Sequence, residues 1–353
     1  MNEKGMISMN AALVGVSGYG GMVLFQLLNN HPGVDQVNLY GHAQTENQNF
    51  GDVVSLFELG HFNQQQIFPY NESQIMQDND VVFFATSAGV TAQLAQPFID
   101  ADFPVIDLSG DYRLNTQALY EQWYHKQPAQ QSALDTAHYG LVEFESAHNA
   151  KYVANPGCYA TATLLALAPL VKNDLIDVDS IIVDAKSGTS GAGKKPSELL
   201  HFSQTNENLQ VYKVNQHQHI PEVVQELQTW NPAVKAIQFN TTLLPITRGL
   251  MSTVYAKVKA GVTQAEVYEA FEQAYQDQTF VNWTDRRFPT IKEVVGTNDC
   301  KIGAIYNPDT HTVMVVSVID NLIKGAGGQA IQNFNQMFNF DEAAGLPVNV
   351  WVP

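Results

Sequence analysis

The residue with the clearest chemical potential is Cys158. Residues 155–161 read Asn-Pro-Gly-Cys-Tyr-Ala-Thr, and the helix-like apolar segment 162–168 follows directly. A thiol at a helix N-terminus experiences the positive end of the helix dipole, which lowers its pKa and makes it a nucleophile near neutral pH. A lone cysteine is more often a small buried residue at such a position. The residues alone leave both interpretations open.

A nucleophilic thiol needs a proton partner, and residues 217–222 supply candidates. They read His-Gln-His-Ile-Pro-Glu, so that two histidines and a carboxylate lie within six positions. His219 is the candidate general acid and base. A solvated histidine pair is the alternative. Histidines two positions apart on a strand would face the same side, but one nearby glutamate without clustered cysteines falls short of a zinc donor set. No metal is therefore predicted.

A glycine-rich loop lies near the start of the chain. Residues 15–21 read Gly-Val-Ser-Gly-Tyr-Gly-Gly, after the apolar strand candidate 11–16 and before the helix-like segment 22–28. Glycines between a strand and a helix let the backbone approach a pyrophosphate at the helix N-terminus. The spacing departs from the usual GxGxxG, and a simple tight turn is the alternative. The next strand candidate, 36–40, is followed by Gly41-His42, so no acidic or basic residue there decides the cofactor.

The densest cationic stretch is the segment 186–195, which reads Lys-Ser-Gly-Thr-Ser-Gly-Ala-Gly-Lys-Lys. Backbone N–H groups and hydroxyls of such a segment can surround an anion. A flexible solvated loop is the alternative. The segment is not a Walker A loop, because Lys195 stands where Ser or Thr would follow Lys194.

Charge and composition limit the possible partners. The 353 residues include 35 acidic and 18 basic side chains, for a net charge of −17, and no run of four lysines or arginines occurs. We therefore expect neither nucleic acid nor a membrane surface as a partner. No apolar run approaches 18 residues. Two cysteines make no disulfide framework, which favours a cytoplasmic protein with reduced thiols.

The elements that must position these residues fall into two groups. Apolar strand candidates at 36–40, 80–85 and 104–108 alternate with helical connections, which predicts a doubly wound parallel sheet. Longer, partly alternating strands at 180–185, 236–240, 251–258 and 311–319 predict a mixed or antiparallel sheet in a second domain. The turn signal at 307–310 favours a hairpin. Residues 328–338 resemble a helix.

These motifs occur together in the order of one known family. The glycine loop, the Cys158 and His219 segments, the 187–193 loop and residues 321–330 (Asn-Leu-Ile-Lys-Gly-Ala-Gly-Gly-Gln-Ala) resemble the N-acetyl-gamma-glutamyl-phosphate reductases of arginine biosynthesis. Segments 107–114 and 244–249 fit as well. The resemblance runs from about residue 10 to about residue 340.

The resemblance implies an α/β protein. It has a Rossmann NADP-binding domain formed by residues 1–157 and 321–353 and closed by the C-terminal helix. Residues 158–320 form a catalytic and dimerisation domain with a mixed, largely antiparallel sheet. The implied partners are a small acyl-phosphate substrate and copies of the same chain, as a homodimer or homotetramer.

The implied activity is NADPH-dependent reduction of N-acetylglutamyl 5-phosphate through a cysteine thioester. Cys158 would be the nucleophile and His219 the acid/base. The implied NADP(H)-binding residues are Gly15, Ser17, Gly18, Tyr19, Gly20, Gly21, Ser87, Ser187, Gly188 and Asn321. The implied substrate-binding residues are Arg113, Asn155, Glu222 and Arg248, since guanidinium groups suit a carboxylate or a phosphate.

Two departures and two alternatives accompany this assignment. The family usually has an arginine near the end of strand two, where this chain has Gly41-His42, and its Gly-Leu-Pro-Glu is Gly-Leu-Val-Glu at 140–143. The second departure is expected to affect only a loop. An aspartate-semialdehyde dehydrogenase would use the same cysteine and histidine on a shorter substrate. A nucleotide-sensing protein would use the same fold without chemistry.

Overall fold

The strands and helices were assigned from a computed structural model that describes residues 8–347. The strands are β1 Met9–Val14, β2 Val34–Gly41, β3 Gln48–Asn49, β4 Gln66–Pro69, β5 Val81–Phe84, β6 Val105–Asp107, β7 Ala137–Tyr139, β8 Tyr152–Ala154, β9 Ile176–Ser187, β10 Gln210–Tyr212, β11 Gln238–Leu243, β12 Leu250–Val258, β13 Val281–Trp283, β14 Cys300–Asn307 and β15 Thr312–Ile319. The helices are α1 Tyr19–Asn29, α2 Phe50–Val53, α3 Glu72–Asp78, α4 Thr91–Leu94, α5 Gln96–Asp100, α6 Gln117–Tyr124, α7 Gln131–Leu134, α8 Cys158–Lys172, α9 Phe202–Thr205, α10 His219–Trp230, α11 Gln264–Tyr275 and α12 Gly328–Met337.

The described chain divides into two units. The first contains residues 8–156 and 326–346, and the second contains residues 157–325 and 347. The sequence predicts the two domain boundaries at 157/158 and 320/321. In the structure Gly157, residues 321–325 and Pro347 belong to the second unit instead.

The first unit is built on a sheet with the strand order β3-β4-β2-β1-β5-β6-β8-β7. Its strands are parallel except for the short β3. The central strands β1 and β5 are buried apolar runs, as a sheet covered on both faces requires. The strand order reverses between β1 and β5, which is where doubly wound folds bind nucleotides. Helix α12 contacts α1 and β6 in this unit.

The second unit is built on a mixed sheet with the strand order β10-β11-β9-β12-β15-β14-β13. Strands β14 and β15 form the hairpin predicted from the turn at 307–310. Helix α8 contacts β9, β12 and β15 and is buried from residue 159 to residue 171, which explains why its sequence is apolar on all sides. In the part of the chain described here, no helix has the length and apolarity needed to span a bilayer.

Candidate active site

Cys158 is the first residue of α8, in the second unit. Its helix begins after Gly157, whose backbone is extended (φ −75°, ψ 153°), and the thiol-bearing residue is half-buried. The N–H groups of the first helical turn direct their positive end at this position and stabilise a thiolate. The rest of α8 is fixed by burial. Both features that the sequence predicted for Cys158, the helix start and the shaped Pro-Gly approach, are present in the structure.

Glu222 connects this helix start to a second one. Its carboxylate oxygen Oε1 accepts the backbone N–H of Gly157 at 2.7 Å, and the side chain is fully buried. Glu222 lies in the first turn of α10, which packs against α8. Pro221 suits this turn because its missing N–H would have no helical partner there. The bond therefore joins the N-termini of α8 and α10, where Cys158 and His219 stand.

His219 begins α10 and is almost completely buried. Its backbone N–H donates to Nδ1 of His217 at 3.2 Å, which leaves the ring proton of a neutral His217 on Nε2. Burial is the largest cause that holds the pKa of His217 well below its usual value, followed by the charges of His219 and Lys213. His217 is therefore neutral near pH 7. Because His219 starts a helix, the two histidines do not lie on a common strand.

Two tyrosines complete the surroundings of the thiol. The Tyr159 ring lies edge-on to His217 and His219, at centroid distances of 5.1 and 6.1 Å. Its hydroxyl is 3.0 Å from that of Tyr212. Burial raises the pKa of Tyr212 to about 12, with a smaller contribution from the negative charge of Cys158, and burial also raises the pKa of Tyr159. Both hydroxyls stay protonated. Sequence reasoning missed them: only Tyr159, adjacent to Cys158, carried a signal.

The segment that follows β9 is ordered by a neighbouring loop. Gly188 donates its N–H to the carbonyl of Gly249 at 2.9 Å, and Ser190 donates to Thr247 at 3.0 Å. A Cβ on Gly188 would lie 2.7 Å from the Thr247 carbonyl oxygen, so only glycine fits. Residues 187–190 are therefore not a flexible solvated loop, although Lys194 and Lys195 beyond them are exposed.

Asn321 holds both of these loops. Its Oδ1 accepts the N–H of Gly249 at 2.7 Å, and its Nδ2 donates to the hydroxyl of Ser190 at 2.9 Å. The side chain is buried. Asn321 was expected in the dinucleotide-binding domain, but it lies in the second unit beside Ser190, and buried Ser187 lies in that unit as well.

Arg248 is positioned by a buried carboxylate. Its Nη2 lies 3.1 Å from Oδ1 of Asp320, which is fully buried and also accepts the N–H groups of Gly296 and Leu322. The arginine side chain remains 30% exposed, so that its guanidinium is both oriented and accessible to an anion.

Gly325 adjoins the nucleophile, which the sequence did not indicate. A Cβ built on Gly325 would lie 2.6 Å from the Cβ of Cys158. A side chain at this position would therefore displace Cys158. The neighbouring Lys324 is fully buried.

The glycine loop is in the first unit, between β1 and α1. Gly15 has a φ of +98°, and a Cβ on Gly21 would lie 2.3 Å from the Gly15 carbonyl oxygen, so these two glycines shape the turn. A Cβ on Gly18 or Gly20 would have no atom within 4 Å. Helix α1 has no side-chain cap. The helix N-terminus is thus open to an anion, which fits a dinucleotide pyrophosphate.

The remaining predicted residues of the first unit are Ser17, Tyr19, Ser87, Arg113 and Asn155. Ser17 and Tyr19 belong to the glycine loop, and Ser87 lies in the loop after β5, where its carbonyl accepts the N–H of Val90. Arg113 is buried; its Nε donates to the carbonyl of Asn155 at 2.7 Å and its Nη2 to that of Leu108 at 2.9 Å.

Two protein-family models match this chain and indicate its class of protein. The family model described as "Semialdehyde dehydrogenase, NAD binding domain" matches residues 10–152, and the model "Semialdehyde dehydrogenase, dimerisation domain" matches residues 158–321. The chain thus has the two domains of the semialdehyde dehydrogenase class.

Individual relatives narrow the class. The chain is 57% identical to N-acetyl-gamma-glutamyl-phosphate reductase of Limosilactobacillus fermentum, over 98% of this chain and 100% of the relative. It is 53% identical to N-acetyl-gamma-glutamyl-phosphate reductase 2 of Lactiplantibacillus plantarum, over 96% and 98% of the two chains. The chain belongs to the N-acetyl-gamma-glutamyl-phosphate reductase family. The resemblance stated from the motifs is confirmed.

Solved structures share the fold at low sequence identity. Aspartate semialdehyde dehydrogenase II of Vibrio cholerae matches with a TM-score of 0.68 and 18% identity, over 93% of this chain and 98% of that chain. The enzyme of Candida albicans matches with a TM-score of 0.66 and 15% identity, over 94% and 99%. The predicted α/β class with two domains is confirmed.

Proposed function

We propose that this protein reduces N-acetyl-L-glutamyl 5-phosphate to N-acetyl-L-glutamate 5-semialdehyde and phosphate with NADPH, in arginine biosynthesis. The observation that carries the proposal is the joined pair of helix starts. Cys158 begins α8, His219 begins α10, and Glu222 of α10 accepts the backbone N–H of Gly157 at 2.7 Å. The identity of the substrate is inferred from the names of the relatives.

The residues that would hold NADP(H) in the first unit are the glycine loop and Ser87. Ser187, Gly188 and Asn321, which belong to the second unit, remain predictions as cofactor-binding residues. The open space at Gly18 and Gly20 fits the pyrophosphate. When bound, NADPH supplies the hydride that reduces the acyl group to the aldehyde level.

The thiolate of Cys158 attacks the γ-carbonyl carbon of the acyl phosphate. A C–S bond forms, the C–O bond to phosphate breaks, and phosphate leaves with the electron pair, which gives a thioester. A soft thiolate suits this step because the thioester must remain open to reduction. The helix dipole stabilises the thiolate again when the C–S bond later breaks.

His219 manages the proton on the carbonyl oxygen. It donates a proton to this oxygen as the thioester is reduced to a thiohemiacetal, and it accepts the proton back when the thiolate is expelled and the aldehyde forms. The neutral His217 keeps the backbone of His219 in place without competing for the proton. Arg248 would bind a carboxylate or the phosphate, and Arg113, Asn155 and Glu222 remain predictions as substrate-binding residues.

A paired assay tests the substrate. In the reverse direction, we expect phosphate-dependent NADP⁺ reduction with N-acetylglutamate 5-semialdehyde and at least ~100-fold lower kcat/KM with aspartate 4-semialdehyde. A site that hydrogen-bonds the polar groups of its substrate rejects an analogue that lacks those groups. The opposite preference would assign the shorter substrate. Dinucleotide binding without turnover on either aldehyde would leave a sensor protein. NADPH and NADH are compared in the same assay.

We also propose that the protein forms a homodimer through one face of the sheet in the second unit. Ile182, Tyr255, Met314 and Ile305 are aligned neighbours across β9, β12, β15 and β14. Ile182, Tyr255 and Ile305 are 43%, 37% and 41% exposed. The adjacent row Val183, Val254, Val315 and Ala304 is fully buried on the other face.

This apolar row is continuous across four strands, with Met314 half-buried and the other three side chains exposed, and such a row is typical of a protein interface. A second copy is the favoured occupant because the segment belongs to the part matched as a dimerisation domain. Cys158 and Cys300 are not joined in a disulfide, which favours the reducing cytoplasm as the location.

A further inference from the structure

Helix α12 carries an unusual set of buried residues. Gln329, Gln332, Asn333 and Asn335 are all fully buried in the first unit. A buried amide costs free energy unless its hydrogen bonds are made, so a helix that serves only as packing would carry apolar side chains at these positions. The bonds of these amides show what they hold in place.

Asn333 is bonded to the segment that leads to the nucleophile. Its Nδ2 donates to Oδ1 of Asn155 at 3.1 Å and to the carbonyl of Gly140 at 2.9 Å. Gln329, one turn earlier, donates to the same Gly140 carbonyl at 3.0 Å. Gly140 in turn donates its N–H to Ala154. A Cβ on Gly140 would lie 2.5 Å from Nδ2 of Asn333, so the loop and the helix are closely fitted.

The side chain of Asn155 is also hydrogen-bonded to a second backbone segment. Its Nδ2 donates to the carbonyl of Ala326 at 3.1 Å. Asn155 precedes Cys158 by three residues, and Ala326 follows Gly325, whose backbone lies against the Cβ of Cys158. The Asn333 and Asn155 amides therefore fix the two chain segments that flank the nucleophile.

We propose that Asn333 is a positioning residue for Cys158, acting through Asn155 and Ala326. It touches neither the thiol nor the reacting atoms. The proposal rests on the proposed function, because it concerns the same nucleophile. It also places residues 140–143, where this sequence departs from the family motif, beside the amide bonds of Asn333 and not in an isolated loop.

The test is Asn333→Leu, which removes the amide bonds at similar volume. Asn335→Leu is the matched control: Asn335 is fully buried on the same helix and donates to the carbonyls of Glu342 and Ala344, outside the Asn155 connection. Thermal unfolding is measured for both variants. If Asn333→Leu does not fold, Asn333→Ser replaces it.

The first readout is the rate at which iodoacetamide alkylates Cys158 between pH 6 and 10. Buried Cys300 does not interfere. We expect Asn333→Leu to slow alkylation at pH 7 about tenfold and to move the midpoint to higher pH, because a displaced thiol loses its alignment with the helix dipole. Asn335→Leu should leave both values as in the wild type.

The second readout is turnover of the acyl phosphate. We expect kcat to fall ~10–100-fold in Asn333→Leu with KM nearly unchanged, since a small misplacement of a reacting atom is enough for such a loss. Wild-type alkylation and kcat in a folded Asn333 variant would overturn the proposal. The alkylation readout needs no substrate, so it stands even if N-acetylglutamyl phosphate is not turned over.

Discussion

At the scale of single residues, the site depends on side chains whose charge states are fixed by what surrounds them. Cys158 lies at the positive end of α8, while His217 is kept neutral mainly by burial. One carboxylate oxygen of Glu222 accepts the backbone N–H of Gly157, the residue before Cys158. These contacts distinguish the proposed nucleophile from the residues that position it.

The cysteine is tested with its buried counterpart. Cys158→Ser should lower kcat at least ~10³-fold, because a serine hydroxyl is a far weaker nucleophile near neutral pH. Cys300→Ser is the control: Cys300 is buried on β14, with its sulfur 3.3 Å from the hydroxyl of Ser317. It should retain activity. Initial rates of acyl-phosphate reduction provide the measurement, and near-normal rates in Cys158→Ser would refute the covalent route.

The histidine is tested through its pH profile. His219→Asn should lower kcat at least ~100-fold, in line with general acid/base contributions. His201→Asn serves as a control, since His201 is exposed. An unchanged rate together with an unchanged pH profile in His219→Asn would remove this residue from the proton transfer.

At the scale of elements, the proposed chemistry depends on two helix starts, and the proposed cofactor binding depends on one glycine turn. Helices α8 and α10 each have a candidate catalytic residue at their first position, and α1 has no side-chain cap at its N-terminus. The sequence predicted the glycine turn and α8 well, since both have glycine or proline before an apolar run. It did not predict that α10 begins at His219, since the two-residue spacing of the histidines also suits a strand.

The glycine turn yields a contrast between binding and stability. Gly20→Ala should weaken NADPH binding about tenfold while the melting temperature stays equal or rises, because its Cβ enters open space and alanine favours a helix. Gly21→Ala should lower the melting temperature, because its Cβ would lie 2.3 Å from a carbonyl oxygen. Cofactor titration and thermal unfolding measure both. Wild-type affinity in Gly20→Ala would place the pyrophosphate elsewhere.

At the scale of the whole molecule, stability and association depend on groups outside the catalytic residues. The first unit buries a pair of carboxylates, Asp107 and Asp111, at the end of β6 and beyond it. The second unit exposes the row of Ile182, Tyr255, Met314 and Ile305. Each feature leads to a measurable property of the assembled protein.

The buried carboxyl gives a pH dependence. Burial, and then the charge of Asp111, raise the pKa of Asp107 from 3.8 to about 7. Between pH 3.8 and about 7, Asp107 has lost its proton in the unfolded chain but keeps it in the folded protein. The free energy of unfolding therefore falls as the pH rises through this range. Asp107→Asn should therefore raise the melting temperature more at pH 8 than at pH 4, whereas exposed Asp277→Asn should not. An equal effect at both values would contradict the assignment.

The sheet face gives an association state. Tyr255→Asp should convert a dimer into a monomer in sedimentation velocity, because the charge would be buried in the interface. Phe202→Asp is the control, since Phe202 is 76% exposed but lies outside the row. A wild-type monomer at micromolar concentration, or a Tyr255→Asp dimer, would exclude this face.

The sequence by itself determined the family and the two kinds of sheet, and it predicted the roles of Cys158 and His219, because glycine turns, apolar runs and motif order are local properties of the chain. Only the tertiary structure decided that Gly325 adjoins Cys158, that Glu222 joins two helix starts and that Asn321 belongs to the second unit. The amide network of Asn333 spans 178 positions between partners. Contacts of this kind depend on packing between distant segments, which no local pattern encodes.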